Sequence, residues 1–277
     1  MVRKLLKKFR SVLSVSPKIL YEEDGGVLND SFYFSGTNGK GVLLIQGWSS
    51  TPYELRRLGT YLNESGYTVY APLLKGHGTK PKDLEGVFWQ DWMDDVRKGY
   101  KKLKENCEEI HIGGTSIGAS LSISLAAKEK NIASLVLMAT PYKLNFERTA
   151  RFLYIFLKYF YVRKIQIPLF ISPRTITRKV AYKNFPVRSV AEVLKSVEHA
   201  RENLDKINQP CFLLQSRLDY IVSKNSMEKI FEKINSKTKH KKYIEKNYHT
   251  FISDIESEYV FEDILSFIQA NENRNIH

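Results

Sequence analysis

A chain of 277 residues, 43% of them apolar, can bury one large core, yet its longest apolar runs are too short to span a bilayer. Its two cysteines, Cys107 and Cys211, are far apart and lack metal-ligand spacing, which argues against a disulfide-stapled framework, and Cys211, which opens an apolar run, is expected to be a buried thiol. The formal charge of +13 raises nucleic acid, anionic lipid or an anionic substrate as partners, but no nucleic-acid-binding signature accompanies it, so no nucleic-acid partner is expected and a solvated basic surface is the default.

Residues 1–20 carry six Lys/Arg and no acid. Within 2–15, Val2, Leu5, Leu6, Phe9, Val12 and Leu13 share one helical face. Three readings stay open: an end that packs or frays, a helix lying on an anionic membrane surface, and a targeting segment. Lys7, Lys8 and Arg10 interrupt the apolar stretch and argue against a secretory signal, so the expected location is cytoplasmic, peripheral to a membrane under the second reading.

A Gly25-Gly26 turn and the alternation over 31–35 predict an early strand. Val42 to Ile45 reads as a fully apolar strand, followed by the loop Gln46-Gly47-Trp48-Ser49-Ser50. Thr51, Pro52 and Glu54 match the start of a capped helix running to Asn63, with Gly66 beyond its end. A strand at 68–71, a loop through Gly76-His77-Gly78 and an amphipathic helix over 89–106 come next. Glu109 to Ile112 reads as a strand, Gly114-Thr115-Ser116-Ile117-Gly118 as a sharp turn, 117–128 as a helix and 132–138 as another strand. This alternation with short connections predicts a mostly parallel central sheet with helices on both faces.

The alternation breaks after Tyr142. Residues 141–205 read as a small inserted helical cap, between core segments 21–140 and 206–277. Over 141–190 the insertion carries eleven Lys/Arg against Glu147 alone, with aromatic-aliphatic runs at 152–157 and 159–162. A strand at Cys211–Gln215, a helix at 223–234, a strand at 241–244 and a helix at 256–270 complete the pattern.

G-x-S-x-G between a strand and a helix is the setting that lifts a serine hydroxyl above a sheet end, and it nominates Ser116 as a nucleophile. A serine nucleophile needs a base, a group that orients the base, and donors for the developing oxyanion. His249 follows the strand at 241–244 and is the preferred base; His77 sits on an active-edge loop but precedes the serine. His111 lies within a strand, His199 in the insertion, His240 in a lysine-rich stretch and His277 at the last position. Asp219 follows Cys211–Gln215 and suits the orienting role, its competing reading being a turn or helix-start aspartate. Ile117 and Trp48 are the expected backbone donors.

The ordered set Leu43-Leu44-Ile45-Gln46-Gly47-Trp48, Leu74-Lys75-Gly76-His77-Gly78-Thr79, Asp91-Trp92, Gly114–Gly118, Ser216-Arg217-Leu218-Asp219 and Tyr248-His249 resembles the α/β-hydrolase family, specifically its bacterial carboxylesterases and monoacylglycerol lipases. The resemblance implies an α/β-hydrolase fold with a small cap, and a Ser116–His249–Asp219 triad with Trp48 and Ile117 as the oxyanion hole. It also implies acyl ester hydrolysis without metal or organic cofactor. Two positions depart from the family: Gln46 where a loop-supporting histidine is common, and Ala119 where a second glycine is frequent. Thioester or amide cleavage uses the same residues and stays open. So do a non-catalytic hydrolase-fold binding protein and a membrane-associated scaffold using residues 1–15 and the basic cap.

Overall fold

The computed structural model describes residues 26–157, 181–182, 185–245, 247–254 and 257–272, with only the backbone of 153 and 155–157. The expectations for the segment at 1–20, for 159–162 and for His277 lie outside these residues.

The apolar runs become the interior of a sheet because a strand buried on both faces has no polar side to offer water. β1 (Phe32–Phe34), β2 (Lys40–Ile45), β3 (Thr68–Ala71), β4 (Glu109–Thr115), β5 (Ile132–Met138), β6 (Cys211–Ser216) and β7 (Lys239–Ile244) form one seven-stranded sheet in the order β1-β3-β2-β4-β5-β6-β7. Only β1 runs antiparallel to its neighbour; the other pairings are parallel. β4 and β5 sit centrally, and every residue of β5 is buried. At the far edge, His240, Lys241 and Lys242 of β7 are exposed, a charged border that discourages further strand pairing.

Helices cover both faces. Leu43, Ile45, Ile112, Leu135, Leu137 and Leu213 share a core with α2 (Trp89–Lys104), α3 (Ile117–Ala126), α5 (Val187–Glu202) and α6 (Ser226–Lys233). Val42, Leu44, Val136, Met138, Phe212 and Leu214 share the other core with α1 (Arg56–Glu64) and α7 (Glu258–Gln269). The alternation along each strand is the period of two that the pleat imposes. α3 is buried at every position, as a helix enclosed by the sheet and its neighbours must be.

The inserted region between β5 and β6 contains α4 (Glu147–Leu157) and α5. Val193, Leu194, Val197 and Ala200 of α5 share the core with α3, and His199 Nδ1 lies 3.0 Å from Ser124 Oγ. This helix is therefore seated directly on the one that follows Ser116.

Two expectations change. Pro52–Leu55 forms a 3-10 turn ahead of α1, and Thr51 makes no cap bond. Its hydroxyl donates to Leu28 O at 2.6 Å, while the Glu54 carboxylate accepts from the Gly47 amide, so tertiary bonds take both side chains that a capping box needs. β4 also runs past Ile112 to Thr115, because Gly113 and Gly114 keep their places opposite Leu44 and Ile45 of β2.

Candidate active site

β4 ends at Thr115 and α3 begins at Ile117, so the whole reversal falls on Ser116. Its φ of 55° and ψ of −118° put a residue bearing a Cβ in a region favourable to glycine. The neighbours make room for it. A Cβ on Gly118 would lie 2.2 Å from Ile45 O, and one on Gly114 would lie 2.4 Å from the Gly118 carbonyl carbon. The bend is pinned by the Ser116 amide donating to Met138 O at 2.8 Å and by the Ala119 amide donating to Ser116 O at 3.0 Å. Ile117, at the first helical position, has an amide with no acceptor four residues back.

Two loops leaving the same end of the sheet meet this serine. Asp219 lies three residues beyond β6 and His249 five beyond β7. His249 Nε2 is 3.0 Å from Ser116 Oγ, and His249 Nδ1 is 2.8 Å from Asp219 Oδ2. The other oxygen of Asp219 accepts the amides of Ile221 at 3.0 Å and Val222 at 2.9 Å. With a buried carboxylate oxygen as the acceptor facing Nδ1, the imidazole proton belongs on Nδ1, which leaves the Nε2 lone pair facing the hydroxyl. The loops are joined beneath this row: Ser216 Oγ donates to Asn247 O, and Asn247 Nδ2 donates to Asp254 Oδ2 at 2.8 Å.

The loop after β2 stands over the serine. A Cβ on Gly47 would sit 3.6 Å from Ser116 Cβ and 3.2 Å from Glu54 Oε1. The Gly47 amide goes to the Glu54 carboxylate and the Ser49 amide to His77 Nε2 at 3.1 Å. Trp48 lies between these two committed amides, and its own N–H has no acceptor among the described residues. Gln46 donates through Nε2 to Ser50 O at 2.6 Å, so the amide that replaces the family's histidine braces the loop from within.

The other histidines serve elsewhere. Both ring nitrogens of His77 are engaged, with Ser49 N and Lys75 O, and it makes no bond to Ser116. His111 is buried 2.8 Å from Ser134 Oγ, and His240 is exposed on β7. Burial pushes His77 and His111 down to about 4. Among the described residues no cluster of His, Cys, Asp and Glu could hold a metal ion. Glu54, Tyr182 and Asn247, which shape the site, carry no sequence signal of their own; Glu54 sits where a helix start accounts for it.

The chain matches the model of the family described as serine aminopeptidase, S33, over residues 38–256. It is 30% identical over 240 residues to a carboxylesterase of Bacillus subtilis (strain 168), covering 86% of this chain and 95% of that one. It is 28% identical over 248 residues to a thermostable monoacylglycerol lipase of Bacillus sp. (strain H-257), covering 87% and 95%. Among solved structures, one from a study of the metagenome-derived lipolytic enzymes LipS and LipT superposes with a TM-score of 0.79 at 25% identity, covering 88% of this chain and 98% of that one. A monoacylglycerol lipase of Paleococcus ferrophilus shares the fold, with a TM-score of 0.67 at 18% identity and coverage of 87% and 98%.

Proposed function

The chain belongs to the serine aminopeptidase S33 family, as an α/β-hydrolase enzyme related to bacterial carboxylesterases and monoacylglycerol lipases, and from that premise we propose that it cleaves short- to medium-chain acyl esters or monoacylglycerols through a Ser116 acyl-enzyme. The observation that carries the reading is the hydrogen-bonded row from Ser116 Oγ through His249 to Asp219. His249 takes the hydroxyl proton as Ser116 attacks the acyl carbonyl, and Asp219 stabilises the imidazolium without accepting the proton. The amides of Trp48 and Ile117 receive the oxyanion, whose charge appears only in the transition state. His249 then returns the proton to the leaving alcohol and activates the water that releases the acid. All these steps use protein groups and water.

Apolar surface supports an acyl substrate. Leu218 on the Asp219 loop and Phe146 and Phe152 on and beside α4 are exposed, and Asn145 ties the start of α4 to that loop through Tyr220 O at 2.7 Å. The test is turnover of p-nitrophenyl and monoacylglycerol esters of increasing chain length, beside a thioester and an aminoacyl amide, with Ser116→Ala as control. The expected result is turnover of short- to medium-chain esters, lost by a factor of at least about 10⁴ in Ser116→Ala, with a preference for the longer of these chains supporting the apolar surface as the acyl site. Undiminished activity in that variant would remove the mechanism. A better rate on the amide would move the substrate class toward the peptidase activity that the family's description names.

A further inference from the structure

Ser49 has a φ of 63°, in the left-handed region that a residue with a Cβ avoids at a cost of about 1 kcal/mol or more. Both of its backbone polar groups are held from outside the loop. Its N–H donates to His77 Nε2 at 3.1 Å, and its carbonyl accepts the Tyr182 amide at 2.8 Å. His77 is itself fixed, since Nδ1–H donates to Lys75 O at 3.2 Å and leaves the Nε2 lone pair for Ser49. Burial keeps this ring neutral at ordinary pH, so that lone pair is retained.

Tyr182 completes the arrangement from within the inserted region, ahead of α5. Its hydroxyl donates to Gly76 O at 2.9 Å and accepts the Thr79 amide at 2.9 Å. Its ring lies nearly parallel to the His77 imidazole, at 10° and 6.3 Å between centroids, and Ala181 forms an antiparallel bridge with Ser50. Three segments distant in sequence thus close around one strained peptide next to Trp48. His77 is 2% exposed and uses both nitrogens in this arrangement, so it has no ring nitrogen left for substrate.

We propose that His77 and Tyr182 are positioning residues for the oxyanion hole, holding Ser49 in its strained conformation so that the neighbouring Trp48 amide stays unpaired and aimed at the developing oxyanion. The proposal rests on the serine-esterase reading above. If Ser49 relaxes to negative φ, the Trp48–Ser49 peptide turns and the Trp48 backbone shifts, and a donor that must sit about 2.7–3.1 Å from the oxyanion does not survive such a shift.

The experiment compares His77→Phe, His77→Gln and Tyr182→Phe with the unaltered chain and with Ser116→Ala. His77→Phe keeps the ring and deletes the acceptor; kcat is expected to fall about tenfold or more with KM within about twofold. His77→Gln returns an acceptor near the Nε2 position and recovers most of that loss. Tyr182→Phe, which deletes one hydroxyl, lowers kcat about threefold to tenfold by the same route.

A fluorophosphonate titration counts competent sites, so that loss of folded enzyme is separated from slower turnover. Affinity for a trifluoromethyl ketone, which forms a tetrahedral adduct on the serine, falls with kcat/KM, whereas inhibition by the fatty acid product does not move. Wild-type kcat in both His77→Phe and Tyr182→Phe, a loss confined to KM, or unchanged ketone affinity overturns the proposal. Should His77→Phe not fold, Tyr182→Phe decides. Activity in Ser116→Ala removes the esterase reading itself; an inactive Ser116→Ala beside unimpaired His77 and Tyr182 variants removes only the positioning role.

Discussion

Through one oxygen the Asp219 carboxylate accepts the amides of Ile221 and Val222, and through the other it meets His249. The turn contacts and the contact with His249 are therefore made in one geometry, the one that the proposed orienting role needs. A carboxylate has about four acceptor sites, and the turn that uses one oxygen also fixes where the other points. The histidines illustrate the opposite case, in which one residue type meets different environments. His77 and His111 are pushed down by burial to about 4 from an ordinary 6.5. Below pH 6.5 the unfolded chain then binds protons that the folded chain refuses, so stability drops from about pH 6.5 down to about pH 4. Each histidine is expected to remove about 2 kcal/mol by pH 5. Urea unfolding at pH 7 and pH 5 checks this, and equal stability at the two values would contradict the buried neutral state.

The strand–serine–helix bend shows what an element demands of its smallest residues. Gly118 is the point where α3 passes the end of β2, with Ile45 O and Gln46 O at 2.2 and 2.6 Å from any Cβ placed there. Both atoms are backbone, so they cannot swing aside as a side chain tip would. Gly118→Ala is expected to cost on the order of 3 kcal/mol or more and to abolish activity by displacing Ser116. Gly26→Ala meets nothing within 4 Å and should stay within about 0.5 kcal/mol of the parent. Thermal unfolding of the two variants side by side decides, and a Gly118→Ala protein as stable as Gly26→Ala would refute the close approach. Ala119, the family departure next in the chain, is fully buried, so one methyl group is accommodated at this neighbouring position.

At the scale of the molecule the basic excess has an address. Many cations among the described residues are paired, as in Lys75–Asp91, Arg97–Asp94, Lys195–Glu192 and Lys242–Asp263. The unbalanced charge lies instead in residues 1–20 and 141–190. If these segments meet an anionic surface, the full chain should co-sediment with vesicles rich in anionic lipid at low salt, and not with zwitterionic vesicles. Release is expected by about 0.5 M salt, where screening is nearly complete over contact distances. Equal binding to both vesicle types, or to neither, would leave the charge as a solvated surface. Among the described residues no helix is long and apolar enough to cross a membrane.

The strands and helices were readable from the chain because each depends on a local period and on nearby turn residues. That Ser116, Asp219 and His249 each follow a strand, in that order, was readable as well, since local chemistry specifies each of those strands. What the chain alone could not reveal is how the loops above the sheet share their bonds. Glu54 reads as the start of a helix, yet its carboxylate is taken by Gly47. His77 reads as a spare base, yet it braces Ser49, and Tyr182 carries no signal although it reaches both loops. Those partnerships join residues from seven to more than a hundred positions apart, and only the convergence of separate loops above one end of the sheet brings their donors and acceptors within reach.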